Sequence, residues 1–152
     1  MSSTWDEELA PRMQQEHQAF LQLSQLLREH IAVMPAAPSA QWIDGLRGGF
    51  QRLYTHIQRT IAIKEQDGYL QAILRERPTL TRQVEAIRNE HGQLLRMAAA
   101  LQAELAEIRP EDHVLVADAC ARLQRFMAVV GQHEQRESMI VLFAFNQDLG
   151  AQ

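Results

Sequence analysis

The sequence predicts an all-α protein, an up-down-up-down four-helix bundle, from three observations. Ala, Leu, Gln, Glu and Arg fill 83 of its 152 positions, and all five are strong helix formers. Helix breakers are few and gathered at Pro35-Ala-Ala-Pro38-Ser39, Gly68, Pro78 and Pro110, which leaves long uninterrupted segments between them. Within those segments apolar residues recur at spacings of three and four, the repeat of a helix with one buried face. A chain of this length buries about two-thirds of the surface its unfolded form exposes, so a single domain over residues 1–152 is expected without covalent staples.

The first helix is expected from Ser3 or Pro11 to Met34, with Ser3-Thr4-Trp5-Asp6-Glu7 offering an N-cap and early acidic residues. The second is capped by Ser39 and runs toward Lys64-Glu65. Gly45, Gly48 and Gly49 mark close packing or a kink there rather than a break. A short helical piece, Tyr69 to Arg75, bridges to the third long helix, which opens after Pro78-Thr79 and ends near Arg109. The fourth begins at Asp112 and reaches about Phe145. Short connections between long helices imply antiparallel neighbours.

Charge and cysteine content narrow the partners. Nineteen acidic against fifteen basic residues leave a net charge of -4, which provides no basic footprint for nucleic acid or an anionic membrane, and neither partner is expected. The start of the chain lacks the pattern of a signal peptide, and no apolar run approaches the length of a membrane span. With Cys120 as the sole cysteine, a reducing cytoplasm is the expected compartment and a core position the expected role. Trp5 and Trp42, near helix starts, are expected to cap the bundle ends.

The buried faces carry more than apolar residues. The stripes read Met13, His17, Phe20, Ser24, Leu27, Ile31 on the first helix and Leu46, Phe50, Leu53, His56, Thr60, Lys64 on the second. The third reads Val84, Ile87, His91, Leu94, Ala98, Leu101, Leu105, Ile108, and the fourth Leu123, Phe126, Val130, His133, Glu137, Ile140, Ala144. Any one histidine on such a face is ordinarily a hydrogen-bonded core residue. Four on four facing helices are costly to bury unless they satisfy one another, bind water or share a metal. Glu137, one turn after His133, aims a carboxylate at the same spot. Nitrogen and oxygen donors of this kind suit non-heme iron, manganese or zinc. Glu-x-x-His carboxylate sites, a phosphate loop, a nucleophile elbow and a His-Glu-x-x-His zinc helix are all absent.

Four blocks in order, covering nearly the whole chain, carry a resemblance. They are Glu16-His17 with the Leu-rich run that follows, Glu65-Gln-Asp-Gly68-Tyr69-Leu70 with Pro78 beyond it, Glu90-His91-Gly-Gln-Leu-Leu95, and His133-Glu-Gln-Arg-Glu137 leading to Phe143-Ala-Phe145 and Asp148-Leu-Gly150. In these the chain resembles the hemerythrin-like (HHE cation-binding) domains of bacterial type. The resemblance implies a left-handed four-helix bundle with a diiron site in its core, used to bind dioxygen or to sense oxygen or iron. The implied ligands are a histidine on the first helix, His-x-x-x-Glu on the second, a histidine on the third and His-x-x-x-Glu on the fourth. His17, His91, His133 and Glu137 match this pattern. On the second helix, counting back from Gly68-Tyr69, the histidine position holds Thr60 and the glutamate position Lys64. His56 lies one turn earlier, with Thr60 in its partner's place. In either register the carboxylate of the second helix is missing.

Lys64 is the only lysine among fifteen basic residues. It is either a surface charge near a helix end or an ammonium that enters the core and stands near Glu137, where the resemblance would place an iron ion. Two function classes follow, both of them binding or sensory, and a catalytic class such as a peroxide-reducing non-heme iron enzyme is open only if the first holds. In the first, His17, His56, His91, His133 and Glu137 bind iron, as one ion or an incomplete pair, for oxygen, redox or iron sensing, with dioxygen or another small ligand on the iron. In the second, the bundle holds no metal and serves as a regulatory or interaction module, with another protein or a second copy as partner.

Overall fold

In a computed structural model the chain is described over residues 10–66 and 68–150. There it folds into five α-helices with no strand: α1 (Ala10–Ala32), α2 (Ala40–Gln66), α3 (Tyr69–Glu76), α4 (Thr81–Glu107) and α5 (His113–Gly150), with a single 3₁₀ turn, Pro78–Leu80, ahead of α4. The expected cap of Ser3 and the place of Trp5 lie outside the described residues. No described helix is long and apolar enough to cross a membrane.

Each boundary has a local cause. Ser39 Oγ accepts the Trp42 N–H at 3.1 Å and so caps α2. The glycines do not break that helix. A Cβ on Gly45 would meet His30 Cε1 at 2.6 Å, and one on Gly49 would meet Leu27 Cδ1 at 3.1 Å, so α1 and α2 approach closely across them. Gly68 turns the chain from α2 into α3 at φ 84°, a left-handed conformation that side chains rarely adopt. Helix α5 runs five residues past the expected end at Phe145, because no breaker precedes Gly150.

Helix α1 packs on α2, α2 on α4, α4 on α5 and α5 on α1, while α3 packs against α2, α4 and α5. The apolar stripes meet in two separate clusters. The larger is built from α1, α2, α4 and α5 around Phe50, Leu53, Leu123 and Phe126, and it includes Cys120. The smaller gathers Tyr69, Leu70, Ile73, Val84, Ile87 and Ala144. On α2, α4 and α5 the polar residues His56, Thr60, Lys64, His91, His133 and Glu137 are all buried, and Lys64, His91, His133 and Glu137 lie between the two clusters. Burial of this many polar groups demands internal partners.

Candidate metal centre

Glu137 is the hub of the polar layer. It is 2% exposed, and four groups converge on its carboxylate. Lys64 Nζ lies 2.7 Å from Oε1, and the Tyr69 hydroxyl donates to the same oxygen at 2.9 Å. His91 Nε2 is 3.2 Å and His133 Nε2 2.9 Å from Oε2. The His133 contact lacks the alignment of a hydrogen bond, so this buried nitrogen has no hydrogen-bond partner. A cavity of about 20 Å³, room for about one water, lies beside the layer against Lys64, His91, His133, Thr60 and Phe20. From outside, a recess of about 190 Å³ between α4 and α5 reaches Glu90, His133 and Glu137.

The charges follow from these contacts. Burial on its own would raise the Glu137 carboxyl, but the approach of His133 and His91 and the charge of Lys64 outweigh it and hold its pKa well below the usual carboxylate value. For His133, burial is outweighed by the flanking carboxylates of Glu137 and Glu90, and the imidazole pKa is raised even with Lys64 opposing. Burial, and then the charge of Glu137, push the Tyr69 hydroxyl well above its ordinary value, so it remains a donor.

Around this hub runs a belt of histidine–carboxylate pairs. His91 Nδ1 meets Glu65 at 2.6 Å, from α2, and His133 Nδ1 meets Glu90 at 2.5 Å, from α4. His17 Nδ1 meets Glu134 at 2.9 Å, from α5. The fourth pair is looser. Glu16, from α1, lies 3.4 Å from His56 Nδ1, and Arg59 bridges the two at 3.0 Å from Glu16 and 3.2 Å from His56. Each of the four long helices therefore offers a carboxylate to the next, and the pairs close into a ring. Carboxylates on the Nδ1 atoms leave the Nε2 atoms of His91 and His133 facing Glu137, the arrangement that fixes imidazole orientation behind metal ligands.

The structure divides the sequence-predicted residues. His91, His133 and Glu137 bring ligand atoms within 4.8 Å of one another and could hold a metal ion. Lys64 is 6% exposed and stands at the same carboxylate. His17 departs from the expectation that each long helix buries one histidine. Its side chain is 42% exposed and turned along the α1–α5 seam toward Glu134. His56 is buried, but its Nε2 donates to the Glu16 backbone carbonyl at 2.8 Å, and Thr60 lies 3.3 Å from that same nitrogen. Both bond toward α1 and are not among the three clustered ligands, although they border the same small cavity as His91 and His133.

The donor set does not fit a pair of ions. A bridged pair needs carboxylates from two helices, and the α2 position holds an ammonium. One divalent ion would find three donors but would share Glu137 with Lys64, cation against cation. Sequence reasoning missed Glu65, Glu90, Glu134 and Tyr69. The available signal was adjacency, since Glu90 precedes His91 and Glu134 follows His133. Comparison of the chain with protein-family models, with curated proteins and with solved structures finds no match.

Proposed function

We propose that this chain is a hemerythrin-like, up-down-up-down four-helix bundle in which Lys64 takes the place of the core metal, and that it works as a regulatory or interaction module rather than an enzyme. The observation that carries this is the Lys64 ammonium 2.7 Å from Glu137 Oε1, which neutralises the buried carboxylate without an ion. The antiparallel order is supported by pairs that join opposite ends of neighbouring helices: Arg47 with the carbonyls of Leu105 and Ile108, Glu65 with His91, and His30 with Trp42. The histidine–carboxylate belt supports the family reading, because outer pairs of this kind accompany metal-site histidines.

One observation favours a second reading. The unbonded, buried His133 Nε2 sits with His91 Nε2 and Glu137 where a single iron ion for oxygen, redox or iron sensing would bind. Elemental analysis of protein purified from iron-supplemented cells separates the two. Substoichiometric iron, with a melting temperature unmoved by chelator, is the expected result. One tightly held ion per chain, with a melting temperature that falls on chelation, would replace the first reading with the second.

A further inference from the structure

Helices α4 and α5 part at the end of the molecule where the Ile108–Asp112 connection joins them, about 36 Å along α5 from Glu137. They leave a groove of about 430 Å³, within the size range of a ligand pocket. Its apolar lining is Ala103, Ile108, Leu115 and Ala119, of which Ile108 and Ala119 are buried. Leu115 is 57% exposed, and its neighbour Val114 is 81% exposed, so this end of α5 presents unpartnered apolar surface. Four carboxylates line the groove against one guanidinium. Arg122 is taken up by Glu104 and Asp118, whereas Glu107 and Asp112 are exposed and make no ion pair among the described residues.

We propose that this groove docks a basic amphipathic helix of a partner protein. This rests on the interaction-module reading above and names the face and the class of partner. An apolar lining with an acidic rim is complementary to a helix that carries leucine-like side chains on one face and lysine or arginine beside them. The same charges argue against a second copy on this face, since apposed copies would set Glu107 and Asp112 against their own counterparts. They equally repel nucleic acid and anionic lipid.

The test uses the full chain and a fluorescein-labelled leucine–lysine amphipathic helix, with the leucine–glutamate helix as control, followed by anisotropy and by amide shifts in NMR. The leucine–lysine helix should bind, with shifts confined to the facing parts of α4 and α5. Glu107→Lys and Leu115→Gln should each weaken binding about tenfold. Both positions are exposed, so the variants should melt with the wild type. Equal binding of the glutamate helix, shifts elsewhere on the bundle, indifference to both variants, or no binding would each overturn the proposal. Iron content is measured on the same samples. Groove binding by an iron-loaded protein would sink the metal-free reading and leave the groove standing, whereas a metal-free protein that does not bind would sink the groove alone.

Discussion

Lys64 and Glu137, seventy-three positions apart on α2 and α5, meet at 2.7 Å with both side chains buried. Removing one partner of such a pair leaves an uncompensated charge in the core, which costs about 3–5 kcal/mol. Lys64→Met is therefore expected to lose about that much in urea denaturation. Lys64→Met with Glu137→Gln should recover most of it, because no charge is then stranded and the amide still accepts from Tyr69. A loss below about 1 kcal/mol for Lys64→Met alone would show that the ammonium does not compensate the carboxylate.

The pH dependence has two limbs of opposite sign. Glu137 titrates below its unfolded value, so its contribution is complete above about pH 5 and is lost as pH falls through the depressed folded value. His133 titrates above its unfolded value. Its contribution is complete below about pH 6.5 and is lost as pH rises through the raised folded value. Stability from the polar layer should peak between these limits, with Glu137→Gln flattening the acid limb and His133→Gln the alkaline one. Urea midpoints measured across pH check this, and wild-type stability that climbs steadily from pH 6 to 8 would contradict the second limb.

Building the ligands that the proposed family pattern would have on α2 tests the place assigned to Lys64. Thr60→His with Lys64→Glu would give α2 the His-x-x-x-Glu of the proposed hemerythrin-like pattern, while setting a second carboxylate against Glu137 without a cation. Without metal the double variant should be less stable than the wild type, through like charges and through crowding of an imidazole into a cavity of about 20 Å³. With ferrous iron under anaerobic conditions it should regain stability and bind more metal than the wild type. Melting curves of both proteins with and without iron give the answer. A variant indifferent to iron would mean that Lys64 does not stand at a cation site.

Two helical glycines should respond oppositely to alanine. At Gly45 the new methyl would collide with His30, which is held by stacking on Trp42 at 4.7 Å and by a hydrogen bond to the Trp42 carbonyl at 2.9 Å. Gly45→Ala should cost about 1–3 kcal/mol and alter Trp42 fluorescence. At Gly131 nothing lies within 4 Å of the added Cβ, so Gly131→Ala should stabilise by about 0.5–1 kcal/mol. Thermal melts read both, and a neutral Gly45→Ala would mean that the α1–α2 approach is loose.

The buried stripes were legible because a 3.6-residue repeat fixes the angle of each side chain about its helix axis. Every stripe residue expected on the second and third long helices is buried, from Leu46 to Lys64 and from Val84 to Ile108. Lys64 stood out as the chain's sole lysine on such a stripe. An angle does not state depth, however, and His17 lies on its stripe yet turns outward to Glu134. Nor does it state which helix lies alongside. Glu65, Glu90 and Glu134 sit at the margins of their stripes, where only the identity of the neighbouring helix turns a surface carboxylate into a partner for His91, His133 or His17.

That ring of pairs also governs sliding. Each long helix is tied on one side through its histidine and on the other through its glutamate, so displacing any one of them lengthwise by a turn breaks two links together. Apolar side chains alone tolerate such a slip, because leucine one turn along packs much as leucine does. The belt is specific in height as well as in angle, and it makes the stagger of the four helices a discrete quantity.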